Sequence, residues 1–316
     1  MTGDGTLCVR RPGLLTTVQD LGRWGHQVDG VPVAGPMDTY SHRLANILVG
    51  NDASAATLEV TLIGPDIEID AATTAAVAGA AFDVEYDGAA VGTDVSFAVR
   101  PGSHVRFGRR HAGARAYLAV AGGILTAPVL GSRATHLPSR MGGMAGRPLA
   151  ADDILPLDRW PTTRAGRRAT GMRLPGRGGT RVRVLQAPQA SWFTDAAWSA
   201  FTSASFQVLP QSNRMGYRLE GPPLTRARDE EPLSEPIAFG SIQVPAAGQP
   251  ILLMADRPTA GGYPKIATVI AADLPLAGQL APGDAITFEL CTRQQAAAAL
   301  IARERELLRQ AARFAS

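Results

Sequence analysis

The sequence predicts a mainly β protein built from two diverged copies of one small lobe. Three observations carry this. Glycine (34) and proline (23) are abundant in the 316 residues, which favours short strands and turns over long helices. From Thr57 to Val120, Ile67, Ile69, Val77, Val84, Val95, Val99 and Val105 recur at short spacing around the turn dipeptides Asp87-Gly88 and Pro101-Gly102, the texture of a sandwich or barrel. Finally, three anchors recur in order. Arg23–Pro32 matches Arg214–Pro223 as R-x-G-aromatic-x-aliphatic-acid-G-x-P. Glu59 with Gly64 matches Glu235 with Gly240, and Pro101-Gly102 with Phe107 matches Pro282-Gly283 with Phe288. The offsets are 191, 176 and 181 residues, so copy one carries 15 extra residues between its first two anchors.

The elements follow in order. Residues 7–19 read as two extended segments about a Pro12-Gly13 turn. Residues 38–49 read as a helix, with Asp38 as N-cap, Leu44, Ile47 and Leu48 on one face, and Gly50-Asn51 as the stop. This helix fills the insertion in copy one. Residues 159–183 carry eight arginines among Gly, Pro and Thr with few apolar anchors, and read as a solvated linker. A short helix over 189–203 carries Trp192, Phe193 and Trp198, and strands resume from Phe206 to Phe288. Leu300, Ile301, Leu307, Leu308 and Phe314 repeat at near-helical spacing, so 293–314 is expected as an amphipathic helix. The division is a first lobe over 1–160, an Arg-rich linker over 161–180 and a second lobe with the C-terminal helix over 181–316.

Composition narrows the function classes. The net charge is +3, too small to argue for nucleic acid, and no aromatics are interleaved with the linker arginines for base stacking. Lys265 is the only lysine, so chemistry that needs a side-chain amine has one candidate. Cys8 and Cys291 lie too far apart for a metal motif, which favours a reduced, cytoplasmic setting. No signal-peptide run and no stretch of 18 apolar residues is present, so no membrane span is expected. There is no phosphate-loop motif, no G-x-S-x-G elbow and no histidine spacing suited to a metal, so no metal is expected.

Chemistry concentrates where Gly and Pro mix with polar groups. Gly35-Pro36-Met37-Asp38 leads into the first helix, and Phe239–Pro245 surrounds Gln243. The sharpest segment is Asp256–Lys265, which packs Asp256, Arg257, Thr259, Tyr263 and Lys265 together with two glycines and two prolines. Glycine admits a ligand to the backbone, and Arg257 and Lys265 offset a carboxylate or phosphate. The alternative is a decorated hairpin loop. Glu59 and Glu235 are either structural acceptors or parts of a cleft.

Several motifs fall in one order: Thr17–Arg23, Gly35-Pro36-Met37-Asp38, Ala45-Asn46 with Val49-Gly50-Asn51, Leu58-Glu59 with Gly64-Pro65, and Gly131-Ser132-Arg133. Gly142-Gly143 with Gly146-Arg147, Gln211–Gly216 and Thr259–Pro264 complete the set. Over residues 5–290 the chain resembles the allophanate hydrolase subunit 2 / KipA family. One departure is Ala150-Ala151-Asp152, where the family usually has Ala-Gly-Asp. The resemblance implies tandem cyclophilin-like β-barrel lobes with a few short helices. It implies a partner of the subunit 1/KipI type in a heteromer, a third subunit, and a small-molecule substrate. The activity it implies is that of the C component of an ATP-dependent 5-oxoprolinase, a lactam hydrolase that is inactive as a lone chain, with ATP handled by the complex. Its alternatives are the carboxyltransferase component of a urea/allophanate-type carboxylase, where biotin enters, and a KipA-type regulator that binds a KipI-type inhibitor. The matching motifs nominate Lys265, Tyr263 and Asp256 as catalytic, and Arg23, Asp38, Asn46, Arg214, Gln243, Gly261 and Gly262 as substrate-binding.

Overall fold

The computed structural model describes residues 5–158, 165–172, 174–175 and 179–315. The chain forms two compact units. The first takes Met1–Arg23, Ala34–Leu174 and Arg305–Ser316; the second takes Trp24–Val33 and Pro175–Glu304. The division expected from sequence differs in placing 24–33 with the first lobe and the whole last helix with the second.

The first unit contains β1 (Gly5–Arg11), β2 (Leu15–Gln19), α1 (Thr39–Val49), β3 (Thr57–Thr61), β4 (Asp66–Asp70), β5 (Thr73–Tyr86), β6 (Ala89–Val91), β7 (Val95–Val99), β8 (Ser103–Val120) and β9 (Ile154–Leu157). These strands form one nine-stranded sheet along β2-β3-β8-β4-β1-β9, with β5 pairing β6, β7 and β8. The long strands β5 and β8 are buried on both faces over the stretch where they meet α1. Successive side chains alternate between the faces: Ala75 and Val77 join Leu58, Ile67 and Leu118 in one core, while Ala76 and Ala78 join Leu44, Leu48 and Tyr117 under α1. Alanine on the helix side lets α1 approach closely. The expected caps hold α1 in place. Asp38 accepts from the Ser41 N–H at 2.9 Å, and Gly50 closes the helix at φ 79°, a conformation glycine adopts without Cβ strain.

The second unit contains β10 (Thr180–Gln186), α2 (Asp195–Ser203), β11 (Phe206–Val208), β12 (Gly216–Glu220), β13 (Glu235–Pro236), β14 (Ser241–Gln243), β15 (Ile251–Leu253), β16 (Ala260–Gly261), β17 (Lys265–Val269), α3 (Leu274–Gly278), β18 (Ala285–Leu290) and the start of α4 (Arg293–Ala315). Seven strands close a barrel in the order β10-β17-β14-β15-β12-β11-β18. The parallel pair β10–β18, with Val182 opposite Phe288, completes it. α2 packs on this barrel through Phe201, which stacks on Phe288 at 4.5 Å between ring centroids. The remaining strands, β13 and β16, form a separate two-stranded ribbon.

The mainly β expectation therefore stands, with a closed barrel in the second unit and a curled, unclosed sheet in the first. The repeat is uneven. Its third anchor is a turn leading into a strand in both copies, β8 and β18. Its first is not the same structure twice: Gly216–Glu220 is strand β12 with Tyr217 and Leu219 buried, whereas 27–29 is a single 3-10 turn with Val28 92% exposed. Copy one lacks the alternating apolar pair that would hold a strand there. The linker expectation also changes over its described part. Gly166 donates to Ser96 O at 2.8 Å, Ser96 donates to Arg167 O at 2.9 Å, and Arg167 Nη2 donates to Phe314 O at 2.8 Å. The edge strand β7 offers unpaired backbone groups, and this segment takes them. The rest of the expected linker, 159–164, 173 and 176–178, lies outside the described residues. Among the described residues, no helix is long and apolar enough to cross a membrane.

Candidate functional site

The second unit gathers most of the nominated polar residues. Gln243 on β14 pairs with Lys265 on β17, because a bulge in β17 sets Ile242 opposite Ala267 and leaves Ile266 over. Such bulges re-aim side chains. Both Gln243 and Lys265 are buried. Lys265 Nζ lies 2.7 Å from Glu235 Oε1 and donates to Pro236 O at 3.4 Å. Glu235 also accepts from Gln189 Nε2 at 2.6 Å, and Gln189 accepts from the Lys265 backbone N–H at 3.3 Å. Ammonium, carboxylate and amide thus fix one another. The Lys265 hydrogen bond holds the Glu235 carboxyl below the usual carboxylate range.

The β13–β16 ribbon, with Glu235 opposite Gly261, carries the carboxylate to this place. Gly261 lets the ribbon pass close to Ile237 and Gln243: a Cβ there would lie 2.6 Å from Ile237 Cδ1 and 3.0 Å from Gln243 Nε2, so both side-chain ends would have to shift. Among the described residues, Gln243 Nε2 is buried with no hydrogen-bond acceptor, which leaves it available as a donor. Gly262 follows, near Pro232 O and Ser234 Oγ, and Tyr263 is 46% exposed on the same loop.

Arg214 and Asp256 form a buried two-point pair, with both N···O distances 3.0 Å. This pair ties the turn before β12 to the loop that leads to Lys265. The next residue, Arg257, is 8% exposed. Its Nε donates to Ile237 O at 3.1 Å, and its guanidinium lies 5.4 Å from the Phe239 ring centroid. Burial lowers its pKa to about 10, against the opposing pull of Asp256. Arg257 lines a cavity of about 390 Å³ within the second unit, which Trp24 and Gln27 also line.

The first unit holds the other nominees, each among neighbours of its own. Arg23 is 1% exposed and donates to the carbonyls of Ala134 and Val129. Asp38 also accepts from Ser41 Oγ at 2.6 Å. Asn46 donates to Ala55 O at 2.8 Å and accepts from Asn51 at 3.0 Å. Glu59 accepts from the Met37 N–H at 2.8 Å and from Tyr117 OH at 2.7 Å. Burial, reinforced by Glu59, pushes the Tyr117 hydroxyl well above its usual range. Burial also lowers His42 to about 4, so its imidazole is neutral near pH 7. The two glutamates that align in the repeat therefore differ in setting. Glu59 is sealed at 1% exposure, while the Glu235 side chain is 32% exposed beside an ammonium.

Gln189 is not visible from sequence. Its partners lie 46 and 76 residues away, and it belongs to no motif. Arg257 carries a weak signal, as a cation in a stiff, glycine-containing loop.

Residues 29–290 match the family described as carboxyltransferase domain, subdomain A and B. The chain belongs to this family. Within the carboxyltransferase family, it is 41% identical over 290 residues to the C component of 5-oxoprolinase from Escherichia coli, covering 92% of this chain and 93% of that protein. It is 36% identical to the corresponding 5-oxoprolinase component of Haemophilus influenzae, covering 89% and 90%. The urea amidolyase of Saccharomyces cerevisiae is 34% identical over 88% of this chain, but only 16% of that enzyme is matched. Among solved structures, the K. lactis urea amidolyase superposes with a TM-score of 0.91 at 30% identity, over 96% of this chain and 20% of its own. Another solved chain matches at 40% identity with a TM-score of 0.82, and this chain spans 56% of its length.

Proposed function

We propose that this chain is the C component of an ATP-dependent 5-oxoprolinase, which opens 5-oxoproline to glutamate with a subunit 1/KipI-type partner and a third subunit. The observation that carries this reading is the match along 93% of the corresponding E. coli 5-oxoprolinase component. The Lys265 site is suited to the chemistry. Opening a lactam moves negative charge onto the carbonyl oxygen, and desolvated donors aimed at that charge lower the barrier. Lys265 Nζ and the unpaired Gln243 Nε2 are such donors. Glu235 and Gln189 orient the ammonium. Asp256 acts through Arg214 to hold the loop, with Gly261, Gly262 and Tyr263 at the rim. Arg23, Asp38 and Asn46 support loops of the first unit. The Lys265 site does not suit a nucleoside triphosphate, because one ammonium whose charge is shared with Glu235 can answer a single developing negative charge but cannot balance roughly three or four phosphate charges. ATP is therefore assigned to the complex.

The test is ATP-dependent glutamate release by the co-expressed complex. Lys265→Met lowers kcat by about 100-fold or more, with the complex still assembling. Wild-type turnover by the Lys265→Met complex, or by a complex lacking this chain, refutes the proposal. The urea amidolyase similarity favours a second reading, a biotin-dependent carboxyltransferase. It predicts transfer of labelled bicarbonate to urea only when a biotin carrier is added.

A further inference from the structure

Arg257 presents an unusual electrostatic situation. It is a nine-tenths buried cation in the wall of a cavity of about 390 Å³. One nitrogen, Nε, is used by Ile237 O, and one face by the Phe239 ring. Its neighbour Asp256 has both oxygens bound to Arg214. Among the described residues, no aspartate or glutamate lines the cavity, and the terminal guanidinium nitrogens have no hydrogen-bond acceptor. Asp256, whose oxygens are taken up by Arg214, offsets this charge only in part. A largely buried cation so placed favours an anion in the cavity it lines.

The remaining walls say which kind. Trp24, Pro32, Val33, Pro236 and Pro258 are apolar, and three of them are prolines, so this part is rigid before any ligand arrives. The cavity falls within the ordinary range for small-molecule sites, roughly 300–1,000 Å³. A single arginine fork matches one carboxylate in two-point fashion. One cation cannot balance a di- or triphosphate. Gln27 and Thr259 add polar groups to the wall.

We infer that this cavity is a binding site for a small monocarboxylate with a compact apolar body, whose carboxylate is held by Arg257. The site itself stands on this geometry. Identifying its ligand as the lactam acid rests on the function proposed above.

Calorimetry on the full-length chain with three probes separates the two. Cyclopentanecarboxylate is expected to bind about tenfold or more tightly than its neutral isostere cyclopentanecarboxamide. Arg257→Gln is expected to reduce that preference to within about twofold. Equal binding of acid and amide to the wild-type chain overturns the site, as does a preference that survives in Arg257→Gln. If Arg257→Gln fails to fold by circular dichroism, the acid-against-amide comparison on wild type decides alone. The third probe is 5-oxoproline. If cyclopentanecarboxylate binds and 5-oxoproline does not, the carboxylate site stands and the 5-oxoproline assignment falls.

Discussion

Asp94 offers a test of the first unit in which sign and size both follow from the structure. It lies between β6 and β7 with φ 59°, a left-handed conformation that aspartate tolerates and asparagine tolerates well. Its N–H donates to Val77 O at 2.7 Å, and its carbonyl accepts from Ala169 at 2.9 Å. The carboxylate is tucked against Gly171, where any Cβ would overlap Asp94 Oδ2. Among the described residues, Oδ1 is buried without a hydrogen-bond partner. Burial raises the pKa from 3.8 to about 6, the Gly79 N–H opposes this, and the charge of Asp38 adds to it. The folded protein therefore holds a proton that the unfolded chain releases. Stability falls as pH rises from about 4 to about 6 and is flat above that. The gap corresponds to about 3 kcal/mol, and partial contact with water reduces it to about 2 kcal/mol. Asp94→Asn removes the charge and keeps the shape. Urea titration followed by circular dichroism should show the variant more stable by about 2 kcal/mol at pH 7.5 and near parity at pH 4. A difference that is the same at both pH values, or a less stable variant at pH 7.5, refutes the reasoning.

Asp256→Asn leaves the Arg214 guanidinium buried without its counter-charge and should lower stability by about 3–5 kcal/mol, read as an earlier thermal transition; an unchanged Tm contradicts it. Gly143→Ala should be destabilising by about 2 kcal/mol or more, because Gly143 has φ 52° and a Cβ there would overlap Thr135 Oγ1. Thermal scanning checks this, and a variant as stable as wild type would show that the loop relaxes freely.

Local features are legible in the sequence because they are set by neighbouring residues. Asp38 and Gly50 bound α1 as expected, since capping is a matter of a few residues. Asp87-Gly88 turns β5 into β6 for the same reason. The closure of the barrel is not legible: Thr180–Val184 pairs with Ile286–Leu290 across a hundred residues of chain, and alternation in one strand does not name its partner. The site is half legible. Lys265, Gln243, Arg214 and Asp256 stand in motifs, but which carboxylate meets which cation depends on pairings made at a distance. Glu235 stands out as a repeat anchor, while its ammonium partner and Gln189 emerge only in three dimensions. The segment 24–33 misleads because it resembles β12 in sequence while lacking buried apolar alternation.

The way the chain is shared between its units bears on how it can be cut. Leu307 is 1% exposed in the core beneath α1, and Gln310 donates to Tyr40 OH and Thr170 O. The last turns of the final helix are thus interior parts of a body whose other strands come from the first half of the sequence. Likewise, Trp24–Val33 belongs with the barrel that the second half forms. A gene split near residue 170 would not yield two modules. Each product would lack a piece held by the other, and the first would expose Tyr40, Leu44 and Leu48 to water. The two halves should therefore be recoverable only when co-expressed, as fragments that complement each other.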